Sequence, residues 1–218
     1  MKSLIKHYFL NNQQEMLDKS YINCHVKGLH SLMLSDCPGK MIRLYITSKG
    51  HNMNTKGLLD KPLPLSIHAH HCNLTLTCVY GQFNNLSYYK RKIKNLKYIA
   101  HPETYGWIDK YKYQSAVIGG EEGSKFEHVG REFLEHESQQ GCGEGTSVYL
   151  PAKQLHTVSV DGGEIAAWLV LEGQEDSNYE SVCYNSEHPS VAMGDPAYMY
   201  IRPTLFEVEM LLQSIKVL

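Results

Sequence analysis

Apolar and polar positions alternate along much of this chain. The clearest case is Leu74-Thr75-Leu76-Thr77-Cys78-Val79-Tyr80, which stops at Gly81. A period of two is the pattern of a β-strand with one buried face. Strand-like runs also occupy Leu29 to Leu34, Met41 to Thr47, Tyr111 to Ile118, Thr146 to Leu150 and Ile165 to Leu171. Gly81 should turn the chain into a hairpin partner, Phe83 to Tyr89. Breaks rich in glycine, proline and asparagine separate the runs: Pro38-Gly39, the loop 50–63, Gly119 to Gly123, and Asp161-Gly162-Gly163. Phe126 to Glu137 reads either as a strand broken at Gly130 or as a short helix. The stretch Asn178 to Tyr184 reads as a late strand or a lid.

Helical spacing is confined to the ends. Residues 10–20 suit a short N-terminal helix. Near the C-terminus Thr204 precedes Glu207 by three residues, the spacing of a capping box. Leu205, Val208, Leu211, Leu212 and Ile215 then recur at helical period, which predicts an amphipathic helix from Leu205 to Lys216. Short strands, glycine turns and little helix predict a mainly all-β fold. It would be an antiparallel sandwich or barrel flanked by N- and C-terminal helices. Neither a repeat nor a low-complexity linker interrupts the chain, so residues 1–218 are expected to form one domain.

Composition narrows the function classes. The 218 residues carry a net charge of -2, which gives the whole molecule no strong pull toward nucleic acid or anionic lipid. No apolar run has the length of a membrane span, and the first residues lack the pattern of a signal peptide. The six cysteines form no CxxC pair, which fits reduced thiols and predicts a cytoplasmic protein. One charge cluster stands out, Lys90-Arg91-Lys92-Ile93-Lys94-Asn95-Leu96-Lys97, preceded by Tyr88 and Tyr89. Basic residues beside aromatics can bind single-stranded nucleic acid. A solvated edge strand guarded by lysines is the commoner cause of such a run, and the acidic net charge favours it. Nucleic acid is therefore not an expected partner.

The candidate chemistry lies just before the alternating strand, in Ser66-Ile67-His68-Ala69-His70. On a strand, residues two apart point the same way. His68 and His70 would then present two imidazoles to one side, with Cys72 and Leu74 on the same face and His71 on the other. A second stretch, Gly145 to His156, supplies a third histidine. Single histidines on strands are usually packed or solvated, but two at this spacing plus a third in a separate motif point to a metal. His51 reads as a loop residue rather than a substrate contact, and His128 and His136 as surface.

The two motifs, His68-x-His70 with Gly81 and Gly145 with Pro151 and His156, resemble the signature motifs of the cupin superfamily. Three positions depart from the family pattern. Leu74 stands where the family has a glutamate, Lys153 where it has the glycine of PxG, and Val160 where it has an asparagine. The resemblance implies a cupin-type antiparallel β-sandwich with His68, His70 and His156 as metal ligands. Three neutral imidazoles leave the charge of a divalent ion uncompensated, which favours an anionic substrate. A three-histidine site is also similar to that of the thiol dioxygenases. Gly39-Lys40, Gly50-His51, Ser66-Ile67-His68 and Leu155-His156 add local likeness. That family binds its substrate carboxylate through an arginine, for which Arg43 is the counterpart here. Its cysteine of a thioether pair is matched by Thr75, with Cys72 closer to the site.

The resemblance thus implies a metal-dependent enzyme, a non-haem iron dioxygenase of a small anionic thiol or carboxylate. Fe(II) would be the cofactor, with Ni, Mn or Zn as alternatives, and Arg43 and Cys72 would contact the substrate. A metal-dependent lyase or isomerase, and a non-catalytic ligand-binding shell, stay open. The expected partner is a small molecule, with neither membrane nor nucleic acid involved and a homodimer allowed.

Overall fold

The structure, a computed structural model, describes residues 1–37, 40–51, 53, 65–91, 105–114, 125–161, 163–175, 181–190 and 198–218. Eleven named strands run in chain order: β1 Leu29–Cys37, β2 Lys40–Thr47, β3 Ile67–His68, β4 Cys72–Tyr80, β5 Gln82–Lys90, β6 Tyr105–Gln114, β7 Lys125–Gly143, β8 Ser147–Leu150, β9 Leu155–Ser159, β10 Ala167–Glu175 and β11 Val182–Asn185. Among the described residues three helices accompany them: α1 Lys2–Asn11, α2 Gln13–Lys19 and α3 Leu205–Ser214. The strands make two antiparallel sheets. One has the order β1-β2-β10-β4-β8, and the other closes on itself as β11-β3-β9-β5-β7-β6.

Alternation explains how the first sheet is used. Along β2, Leu44 and Ile46 face a cluster with Ile5 and Phe9 of α1, Met16 of α2, and Val208 and Leu212 of α3. The helices therefore cover the outer face of this sheet. Tyr45 points the other way, toward the interior cluster of Leu74, Leu76 and Cys78 from β4, Trp168 and Val170 from β10, and Phe83 and Val158 from the second sheet. That shared cluster is the core of the sandwich. A third cluster, including Ile67, Leu86, Ile108, Leu134 and Tyr184, belongs to the closed sheet.

Several sequence expectations change. Phe83 to Tyr89 is a strand but not the hairpin partner of β4, because β5 pairs with β7 and β9 in the other sheet. Gly81 makes this crossing at φ +66°, where an added Cβ would run into the carbonyl oxygen of Ile165. The N-terminal helix is two helices broken at Asn12, and it starts earlier than residues 10–20 suggested. Ile5 and Phe9, four apart, are buried on α1, and Met16 on α2. Phe126 to Glu137 lies within one long strand. Gly130 sits at φ +133° beside a bulge, where Lys110 pairs with Gly130 but Tyr111 with His128, leaving Val129 as the extra residue.

Other expectations find counterparts. Residues 182–185 form β11, which favours the late strand over a lid for that part of Asn178 to Tyr184. The helix α3 begins at Thr204 with both halves of the capping box made. Tyr111 to Ile118 corresponds to β6, which begins earlier, at Tyr105. Pro38-Gly39, most of 50–63, Ile118 and its neighbours, Gly119 to Gly123, Gly162, Lys92 to Lys97 and 178–180 lie outside the described residues. Of the basic run, Lys90 pairs with Glu132 at 3.0 Å and Arg91 with Glu135 at 2.6 Å. Among the described residues no helix is long and apolar enough to cross a membrane.

Candidate metal centre

The histidines meet at the seam between the sheets. His68 is the last residue of β3, directly opposite His156 of β9. Just beyond it the chain leaves the closed sheet and enters the other at Cys72. His70 and His71 lie in this crossing rather than on a strand, so the two-apart rule does not apply to them. What holds the crossing is the carbonyl of His70, which accepts the Lys153 amide at 2.9 Å. Lys153 itself has φ +69°, the left-handed conformation that glycine adopts most easily, at the position where the cupin motif has its glycine.

The three rings nevertheless converge. Ring centroids are 4.7 Å apart for His68 and His70, 4.8 Å for His68 and His156, and 5.2 Å for His70 and His156. One nitrogen from each ring lies within 4.8 Å of the others, and Nε2 of His70 and His156 are 3.1 Å apart. Two nitrogens bound to one first-row ion at about 2.0–2.1 Å stand about 2.8–3.4 Å from each other, for angles of about 90–110°. The 3.1 Å separation fits that range.

Hydrogen bonds fix which nitrogen is free. Nδ1 of His68 is 2.8 Å from the Ser66 carbonyl, which can only accept, so Nδ1 carries the proton and Nε2 the lone pair. Nδ1 of His156 donates to Oδ1 of Asn85 at 2.8 Å, and the Asn85 amide nitrogen donates to Ser87 Oγ at 3.3 Å. His156 therefore also presents a bare Nε2. Metal-bound histidines are commonly oriented through their other nitrogen in this way. Burial pushes the pKa of all three rings below the usual histidine value, and for His70 the neighbouring rings of His68 and His156 push it further. The rings are neutral at pH 7, the state that binds metal. By donor type, geometry and protonation the three residues fit a divalent ion.

A cavity of about 460 Å³ opens on the triad. Arg43, Cys72 and Leu74 all line it. His71 lines it too, contrary to the expectation that it faces outward, because the sheet-to-sheet crossing resets strand parity. His51 does not line it; its ring packs on Gly28. His128 is exposed beside Asp109, whereas His136 is half-buried against the Tyr88 ring.

Sequence reasoning missed Asn85, His25, Tyr45 and Trp168. His25 lines the cavity at φ +68°, with its pKa lowered to about 3 by burial. Nothing in its sequence neighbourhood signals that. Asn85 carried one weak sign, a polar residue sharing strand parity with buried Phe83.

No protein-family description matches the sequence, and no curated protein matches it either. Solved structures do match. Over 69% of its length the chain aligns with 73% of the Drosophila melanogaster CENP-C cupin domain, at 9% identity and a TM-score of 0.34. Over 78% it aligns with 95% of a Klebsiella pneumoniae protein with a double-stranded β-helix domain, at 9% identity and a TM-score of 0.34. Over 66% it aligns with 65% of hydroquinone 1,2-dioxygenase from Sphingomonas sp. TTNP3, at 9% identity and a TM-score of 0.34. The fold is a mainly antiparallel β-sandwich, two sheets packed over one core, the architecture that the resemblance of the histidine motifs implies.

Proposed function

We propose that this protein is a metal-dependent enzyme of cupin type, with His68, His70 and His156 holding a divalent ion and the cavity admitting a small organic anion. The observation that carries the reading is the 3.1 Å approach of two Nε2 atoms, one of which belongs to a ring whose Nδ1 proton is already committed to Asn85. Fe(II) is the first candidate, and the activity a dioxygenase; Ni, Mn and Zn suit the same donors. A divalent ion bound there would polarise a coordinated anion and, in the case of iron, give access to O2 chemistry.

The chain's own residues do the remaining work. Asn85 and the Ser66 carbonyl hold two imidazoles in the ligand tautomer. Arg43 offers a guanidinium fork for the substrate carboxylate. Leu74, in place of an acidic ligand, adds no charge, so the anion that neutralises the centre must come from the substrate. Cys72 contributes a small apolar wall beside Leu74.

Elemental analysis of anaerobically purified protein tests this, together with an oxygen electrode and a panel of small carboxylates and thiols. The expected result is about one metal per chain, lost in His70→Ala, with O2 uptake that depends on an added acid. Metal retained by His70→Ala overturns the ligand set. Metal bound without turnover on any acid would leave a ligand-binding shell.

A further inference from the structure

The geometry points to an aryl carboxylate of about two-ring size as the ligand of this cavity, its carboxylate on Arg43 and its rings against Tyr45 and Trp168. This deepens the reading above and shares with it the role of Arg43 as anion anchor. It does not depend on the metal.

Arg43 is the first observation. Only 8% of its surface is exposed, and it lines the cavity. Its one hydrogen bond is from Nη1 to Ser31 Oγ at 3.1 Å, and no carboxylate among the described residues lies within ion-pairing distance. Glu172 shares the cavity wall without forming an ion pair with Arg43. A buried cation without a counter-charge is costly. A ligand that brings the missing charge offsets the cost, and a planar fork suits a carboxylate.

The second observation is the wall beside it. Tyr45 lies two residues further along β2, also on the cavity side. Its ring stacks on Trp168 with centroids 5.9 Å apart and planes 16° apart. His25 stacks on Tyr45 in turn, at 6.2 Å and 27°. Rings stacked on one another turn their edges outward, and the face of an aromatic ligand ring meets such edges in the favourable T-shaped arrangement. The third observation is size. The cavity measures about 460 Å³, whereas an apolar cavity of about 150 Å³ suffices for benzene. A cysteine-sized acid would leave most of the aromatic wall wet. Two fused rings bearing a carboxylate would cover it.

Calorimetric titration of the full chain, after chelation and again after metal loading, decides the matter with three probes: 2-naphthoate, 2-naphthamide and hexanoate. The expected result is a dissociation constant for 2-naphthoate at least tenfold lower than for either other probe, with or without metal. Arg43→Gln should bring 2-naphthoate to the level of 2-naphthamide, and Tyr45→Leu should weaken it at least fivefold while leaving hexanoate unchanged. Should Arg43→Gln fail to fold, Arg43→Lys keeps the charge without the fork and is expected to weaken 2-naphthoate at least fivefold. Hexanoate binding as tightly as 2-naphthoate overturns the aromatic class. Amide binding as tightly as acid overturns Arg43 as anchor. No binding of 2-naphthoate overturns the whole inference. The metal content of the same preparations stands or falls separately, so loss of this inference is distinguishable from loss of the metal centre.

Discussion

Replacing Asn85 with alanine removes the acceptor that holds His156 in the tautomer with Nε2 bare, the one the proposed metal requires. Asn85 is 2% exposed, and its Oδ1 lies 2.8 Å from His156 Nδ1. In the variant the Nδ1 proton loses its partner on a ring that is only 2% exposed. A buried polar group left unpaired costs about 1–3 kcal/mol. His156 can escape by moving its proton to Nε2, but that proton then occupies the lone pair that the proposed metal would use. Either way the ligand-competent state is disfavoured. Loss of such an outer partner typically lowers metal affinity about 10–100-fold, equivalent to about 1.4–2.7 kcal/mol. The assay is a competition titration of Zn against a chromophoric chelator, with thermal unfolding of the metal-free protein run alongside. Ser87→Ala is the control: it removes only the 3.3 Å contact that steadies the Asn85 amide and should cost less. Unchanged metal affinity in Asn85→Ala would refute the tautomer argument, and unchanged stability as well would show that the hydrogen bond carries no weight.

Acid should destabilise the metal-free protein early. Burial depresses the pKa of His30 to about 4 and of His25 to about 3, and lowers those of His68, His70 and His156. The unfolded chain therefore takes up protons near pH 6.5 while the folded chain resists. Stability is full above that pH and falls as pH drops, by about 1.4 kcal/mol per unit for each such histidine until its folded pKa is reached; urea melts from pH 7 to 4 check this, and a flat profile contradicts it. Leu74→Glu should tighten metal binding by adding a charged donor on the cavity wall, at some loss of stability because the leucine is 2% exposed; destabilisation with no gain in metal would place the side chain out of reach of the triad. Thr204→Ala should lower stability by about 0.5–2 kcal/mol in chemical denaturation, since it deletes the capping box of α3.

Local pattern carried a good deal of this protein. Alternation in Leu74 to Tyr80 specified a strand with one buried face, because side chains on a strand must point to opposite sides. Thr204, Glu207 and the helical spacing after them specified α3, because caps and periodicity are properties of neighbouring residues. The two histidine motifs, read together, specified which three rings to watch. Long-range pairing stayed out of reach. The sequence could not say that β4 and β5, joined by Gly81 alone, belong to different sheets, since a tight glycine turn serves a hairpin and a crossing equally well. It placed His71 outside by strand parity, yet the chain changes sheets between His68 and Cys72, and parity ends where the strand ends. Asn85, His25 and Trp168 join the site from segments far apart in the chain. Their roles depend on which sheet face meets which, a choice made by the packing of the whole core and written in no single stretch of residues.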